Sequence, residues 1–263
     1  TNKSESLVAG EQSSIIFAKD GDDIVDGSTE NDIIFGDGGE DIIYGYSGQD
    51  ILSGGEGNDI IYAGDGNDEI HGDTGNDSLY GDNGDDTLIG GRGADSLYGG
   101  SQNDTYVFQQ GDGNDVIYDY QYDLTQSRKD RIKFLKRVKA DEVKLEREGS
   151  HLIISYGKRD SITVESAYNS YGRYLVEEIA FSDGTVWDVK EIANRANQLD
   201  GTAGDDVMYG YSAAEGYNNW ETIHGLEGND TIYAGDGKDE IHGDAGNDSL
   251  YGDNDDDTLI AGK

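Results

Sequence analysis

The chain has 263 residues, a formal net charge of −37, 40 glycines and neither cysteine nor proline. Such acidity excludes a general nucleic-acid binder, which needs Lys and Arg to displace phosphate counterions, and it opposes attachment to anionic membrane surfaces. No stretch approaches the roughly 20 apolar residues of a membrane-spanning helix, so two readings of the charge remain: an acidic disordered chain, or a protein that neutralises its carboxylates with bound cations.

The first predicted element is a repeat array. From Ala18 to Val107 the chain divides into nine-residue units without insertion or deletion, as in Gly54–Tyr62 (GGEGNDIIY) and Gly72–Tyr80 (GDTGNDSLY). The sixth position is always Asp: Asp23, Asp32, Asp41, Asp50, Asp59, Asp68, Asp77, Asp86, Asp95 and Asp104. A looser unit ends at Ile117, with Asp115 in the Asp role. The eighth position is always apolar or aromatic, from Val25 and Ile34 to Leu97 and Tyr106. Positions one to six read as a turn, with Gly at positions one and four supplying positive φ. Positions seven to nine read as a three-residue strand whose alternation points position eight inward. Such short strands survive only by stacking on one another. Two units then make an 18-residue coil, giving two parallel sheets joined by turns at both edges. Glu30, Gln102 and Asp255 replace the fourth-position Gly, so strained or metal-poor turns are expected there.

The next segment, 119–198, is poor in Gly and holds most of the Lys and Arg. Strands are predicted at 131–135, 143–147, 152–156, 161–164 and 175–181, followed by a turn at Ser182–Gly184. Asp188 and Glu191 read as a capping box opening a short helix to about Gln198. A second array, 199–263, carries sixth-position acids Asp206, Glu221, Asp230, Asp239, Asp248 and Asp257, with an insertion at about 213–220. Residues 62–89 recur at 233–260 with three changes: Asn67 becomes Lys238, Thr74 becomes Ala245 and Gly84 becomes Asp255. A larger module is therefore duplicated. The chain starts without Met and stops in mid-pattern, so it reads as a piece of a longer protein.

The unit resembles the G-G-x-G-x-D-x-U-x nonapeptide of RTX (repeats-in-toxin) proteins. Glu178–Trp187 (EIAFSDGTVW), after Leu152–Ser155 and Asp160–Val164, resembles the haemolysin-type calcium-binding protein related spacer of such proteins. The expected fold is all-β: a parallel β-roll in two arrays, 1–118 and 199–263, separated by a β-rich capping insert at 119–198 with a short helix. The resemblance implies calcium between repeats n and n+2. Its ligands would be the Asp column named above through Asp115, then Asp206, Asp230, Asp239, Asp248 and Asp257. Carbonyls of the turns would add to them: Gly39, Gly48, Gly57, Gly66, Gly75, Gly84, Gly93, Gly228, Gly237 and Gly246. About eight ions are expected in the first array and about three or four in the second. The resemblance also implies type I secretion, an extracellular location, a toxin or exoprotein as parent, and neighbouring RTX modules.

No Ser or Cys nucleophile stands near a His with an acid, and the glycine runs lack the Lys–Ser/Thr of a phosphate loop, so no catalytic site is expected. His71, His224 and His242 share position nine. They read as outward-facing surface residues, with transition-metal binding as the alternative. Tyr44, Tyr62, Tyr80 and Tyr98 recur every 18 residues, which makes them either a cross-strand ladder or a docking strip. An adhesin or glycan-binding module, and the non-catalytic part of an RTX exoenzyme, remain the alternatives for function.

Overall fold

The computed structural model describes residues 3–119, 128–148, 150–167, 176–210 and 220–263. Among these the chain is all-β apart from the helix Val189–Ala196 and a single 3-10 turn at Ala140–Glu142. It forms two compact units, one built from Thr1–Lys144, His151–Ala167 and Leu175–Val189, the other mainly from Lys190–Lys263.

In the first unit, successive nonapeptides alternate between two parallel sheets. One carries Ile24–Asp26, Ile42–Ser47, Ile60–Asp65, Ser78–Asn83 and Ser96–Ser101 in that order. The other carries Ile15–Asp20, Ile33–Gly38, Ile51–Glu56, Glu69–Thr74 and Thr87–Arg92. Ile61 lies opposite Leu79 and Tyr62 opposite Tyr80, which is the register of an 18-residue coil. This is a parallel β-roll. Its core is one side chain deep per strand: every eighth-position residue from Val25 to Leu97 is fully buried. Each such burial is worth about 1.5–3 kcal/mol, and no single coil gathers enough to stand alone.

Two details differ from the sequence expectation. From Ile33–Gly38 to Ser96–Ser101 the first-array strands are six residues long, because positions seven to nine run on into positions one to three of the next unit. Positive φ falls at positions two and four rather than one and four: Asp73 has φ 72° and Asp82 φ 69° at position two, and Gly66 φ 148° at position four. Position one lies inside the strand, so its Gly meets a different demand. A Cβ on Gly72 would overlap Asp77 Oδ2, with the Gly90 carbonyl oxygen alongside. At position four a Cβ on Gly66 would overlap the carbonyl of Gly48. Gln102 (φ 78°) and Asp255 (φ 79°) do adopt left-handed backbone at that position, whereas Glu30 does not.

The compositional border near residue 118 does not interrupt the sheets. Thr105–Phe108 pairs in parallel with Arg131–Phe134, which pairs with Glu178–Ala180, and Asn114–Ile117 pairs with Asp160–Val164. Both sheets then turn antiparallel, through His151–Tyr156 and Val186–Asp188 respectively. Here the core changes from aliphatic to aromatic, with Tyr106, Phe108, Phe134, Tyr156, Phe181 and Trp187 buried. The strand Val186–Asp188 takes in Asp188, which sequence reasoning placed at a helix cap. Three residues beyond a tight turn leave too little periodicity to be recognised. The predicted strand start at Leu175 and most of the insertion at 213–220 lie outside the described residues.

In the second unit, Gln198–Asp200, Thr222–His224, Glu240–His242 and Thr258–Ile260 form one parallel sheet. Val207–Tyr209, Thr231–Tyr233 and Ser249–Tyr251 form the other. Ile223, Ile232, Ala234 and Ile241 make its core. Tyrosines stack along the outside of each unit. Tyr44, Tyr62, Tyr80, Tyr98 and Tyr118 have successive ring centroids 5.2, 4.7, 4.4 and 4.6 Å apart, and Tyr209, Tyr233 and Tyr251 repeat the pattern. Ring faces lie against one another, so the column acts as a cross-strand ladder.

Candidate calcium turns

The sixth-position Asp side chains stand in two columns, one along each edge of the roll. From Asp23 to Asp115 all are buried except for a few per cent of their surface at most. Each uses one oxygen in the same way. The backbone N–H of Asp59 donates to Asp77 Oδ1 at 2.8 Å, and the N–H of Asp77 donates to Asp95 Oδ1 at 2.8 Å. The same bond links Asp50 to Asp68 and Asp68 to Asp86 on the other edge. Every carboxylate thus reaches back to the coil before it.

The second oxygen is left over. Oδ2 of Asp23, Asp41, Asp50, Asp59, Asp68, Asp77, Asp86, Asp95, Asp104 and Asp115 is buried without a hydrogen-bond partner among the described residues. The same holds for Asp230, Asp239 and Asp248 in the second unit. A buried, unpartnered carboxylate oxygen costs several kcal/mol if it stays ionised, and a column of them compounds the cost. Desolvation, opposed by the N–H from the neighbouring coil and reinforced by adjacent carboxylates, pushes Asp77 and Asp86 up to about 8. The same causes push Asp50, Asp104 and Asp115 to about 7. In the second unit Asp239 rises to about 6, again led by desolvation.

Where position one is glycine, as at Gly36, Gly45, Gly54, Gly72, Gly81 and Gly90, the orphan oxygen of the same repeat faces its bare Cα. At Gly72, as at Gly81, a carbonyl oxygen from the next coil on that edge lies on the same side. The donor set is entirely hard oxygen, which suits calcium. The orphan oxygens and the cradle that a Cβ would fill therefore fit the ion that the repeat implies. The Asp columns and the carbonyls of the Gly-rich turns would hold it, and the ion would supply the positive charge these carboxylates lack. One oxygen per Asp is committed to backbone, so only Oδ2 of each remains for an ion.

Two turns solve the problem without a cation. Ser28 N–H and Oγ both donate to Asp32 Oδ2, at 2.6 and 2.9 Å. Thr202 does the same for Asp206 Oδ2, at 2.6 and 2.9 Å. Both hydroxyl residues occupy position two.

Sequence reasoning missed three further features. Position five forms its own ladder: the N–H of Asn76 donates to Asn58 Oδ1 and that of Ala94 to Asn76 Oδ1, each at 2.8 Å. These bonds run opposite to those of the Asp column, and the Asn that recurs before the column Asp at 31, 58, 67, 76 and 103 was their visible signal. The Asp column also outruns the repeat. Asp104 N–H donates to Asp130 Oδ1 at 2.7 Å, and Asp130 N–H to Glu177 Oε2 at 2.7 Å. No fixed period marks those two acids. Finally, buried Arg128 donates from Nε to Asp130 Oδ2 at 2.6 Å, pairs with Asp119, and donates to the Gly100 carbonyl. A guanidinium thus supplies the positive charge beside Asp130.

Fold and turns together define a calcium-binding parallel β-roll. The family model for the RTX calcium-binding nonapeptide repeat (4 copies) matches residues 17–52, 44–79, 80–112, 193–214, 215–250 and 235–263, and the haemolysin-type calcium binding protein related domain matches 151–191. The repeat matches cover more than half of the chain, and the chain belongs to this RTX family. It is 42% identical over 118 residues to the iron-regulated protein FrpA of Neisseria meningitidis serogroup C, a match that takes in 43% of this chain and 10% of that protein. The chain thus spans about a tenth of the length of this curated relative. Solved structures with some likeness include the AlgE6R3 subunit of the Azotobacter vinelandii mannuronan C5-epimerase, at 18% identity, 66% of this chain, 81% of that one and a TM-score of 0.23. The extracellular lipase LipA of Serratia marcescens matches at 15% identity, 91% of this chain, 29% of that one and a TM-score of 0.23.

Proposed function

We propose that this chain is a calcium-induced folding module of a larger type I secreted protein, a toxin or exoprotein, and that it acts outside the cell without chemistry of its own. The column of buried, unpartnered Oδ2 atoms carries this reading. Ions between stacked turns would be held by Asp23, Asp41, Asp50, Asp59, Asp68, Asp77, Asp86, Asp95, Asp104 and Asp115, and in the second unit by Asp230, Asp239, Asp248 and Asp257. Turn carbonyls complete each site. The turns of Asp32 and Asp206 are the weakest candidates, because Ser28 and Thr202 already satisfy them.

The energetics suit a switch. At calcium ten times Kd, each site contributes about 1.4 kcal/mol. About eight such sites reach roughly 11 kcal/mol, comparable to the stability of a whole domain. At the sub-micromolar calcium of a cytosol that contribution vanishes, so the chain would leave the cell unfolded and fold outside. The spacer acts as a cap in this scheme, with Arg128 closing one carboxylate column. Circular dichroism during a calcium titration tests the reading: chelated protein at pH 7.5 should lack β signal and gain it cooperatively at millimolar calcium. Full β signal in chelator would overturn it.

A further inference from the structure

Among the differences between the two copies of the duplicated module, one places a second imidazole beside an existing one: Ser53 of the first copy corresponds to His224 of the second. In the first unit, position nine on one sheet carries Ser53 beside His71, and Ser53 Oγ donates to Asp73 Oδ2 at 2.6 Å. In the second unit the matching residues are His224, His242 and Asp244. His224 Nδ1 lies 3.2 Å from Asp244 Oδ2. His224 and His242 sit opposite each other on adjacent parallel strands with ring centroids 4.5 Å apart. One ligand atom from each of the three residues falls within 4.8 Å of the other two, and all three are half-buried. Glu240 Oε1 lies 2.9 Å from His242 Nε2. A proton shared there leaves the lone pair on His242 Nδ1, as carboxylates do behind metal-bound imidazoles.

We propose that His224, His242 and Asp244 bind a divalent transition metal of the zinc type, at a site separate from the calcium turns. Two imidazoles and one carboxylate make a three-ligand set with a fourth position open to water. Imidazole nitrogen suits zinc, copper or nickel, whereas calcium takes all-oxygen sites, so the two kinds of site do not compete for the same ion. The metal displaces the proton between His224 Nδ1 and Asp244 Oδ2, and Glu240 holds His242 in orientation. His71 keeps the equivalent Glu69 contact, at 2.8 Å, but has Ser53 where a second imidazole is needed. The first unit is thus a built-in comparison.

The test uses the full chain folded in excess calcium, with circular dichroism confirming the fold of every variant, and isothermal titration with zinc chloride as the probe. The unsubstituted chain should bind one zinc at this site. His224→Ser, which restores the first-unit arrangement, should remove one zinc equivalent. Ser53→His, which installs the second-unit arrangement beside His71 and Asp73, should add one. Glu240→Gln should keep the stoichiometry and weaken affinity by about 10- to 100-fold. The proposal requires both stoichiometry changes; a zinc count that ignores either substitution overturns it.

Discussion

Residues 72–89 and 243–260 differ at only two positions, Thr74/Ala245 and Gly84/Asp255, yet the structure treats them differently. Leu88 is fully buried, whereas its counterpart Leu259 is 47% exposed. Ser78–Asn83 and Thr87–Arg92 are six-residue strands, while Ser249–Tyr251 and Thr258–Ile260 have three residues each. Asp86 is buried, whereas Asp257 is only half-buried. The cause is what lies on the next coil. Thr87–Arg92 is flanked by Glu69–Thr74 and Thr105–Phe108, but Thr258–Ile260 pairs, among the described residues, with Glu240–His242 alone. A coil of this kind has no private core. Its burial, and with it the desolvation of its carboxylate, comes from its neighbours.

The largest expected contrast appears when calcium is removed and pH is varied. In the first unit desolvation holds Asp77 and Asp86 near 8, Asp50, Asp104 and Asp115 near 7, and Asp59 and Asp95 near 6, against an ordinary Asp value near 4. The folded state therefore binds protons more tightly than the unfolded chain. Ion-free stability is greatest below pH 4 and is lost as pH rises toward 8. In chelator, acidification from pH 8 to 5 should restore β signal, whereas in millimolar calcium the signal should hardly change across that range. A chelated chain whose β signal is flat between pH 8 and 5 would break the link between burial and charge.

Next in size is Arg128→Ala. Removing one member of a buried ion cluster leaves Asp119 and Asp130 uncompensated, which costs about 3–5 kcal/mol. The calcium midpoint of the first unit should rise, while amides of residues 222–260 should keep their exchange protection. Equal loss in both units would show that Arg128 does not act locally as a cap.

The column itself can be compared through Asp77→Ala and Asp248→Ala, equivalent points of the two copies. Each removes an orphan oxygen and the acceptor of one backbone N–H, that of Asp59 or of Asp230. In the first unit the amide is left buried, at a cost of about 1–3 kcal/mol. Asp248 is half-buried, so water replaces much of what is lost. The calcium midpoint should therefore move further for Asp77→Ala. Asp112 makes a poor control despite lying outside the column, because it is buried and accepts the N–H of Gln109 at 2.7 Å. Identical midpoints for the two column variants would mean that site count, rather than burial, governs folding.

The smallest effect is kinetic. In saturating calcium, hydrogen exchange at residues 243–260 should be faster than at residues 72–89, because their hydrogen-bond ladders lie nearer solvent. Matching protection factors would show that the local calcium sites alone hold each turn.

Much of this was legible from the amino-acid order. The nine-residue period, the Asp at position six and the apolar residue at position eight dictate an 18-residue coil. Stacking is the only arrangement in which a short strand with one inward side chain can bury it. The Tyr column followed from the same arithmetic, up to Tyr98. Tyr118, Asp130 and Glu177 did not, because the chain between them changes length from coil to coil, and only the sheet register brings them into line. The division of labour within each carboxylate, Oδ1 to backbone and Oδ2 left over, was likewise decided in three dimensions, since it depends on where the amide of the preceding coil points. So were the role of Arg128, one cation among many in its stretch, and the self-sealed turns of Ser28 and Thr202, whose hydroxyls matter only because position two faces the carboxylate four residues on. A periodic sequence specifies what every coil shares, whereas the ends of a solenoid and its exceptions are set by contacts that do not repeat.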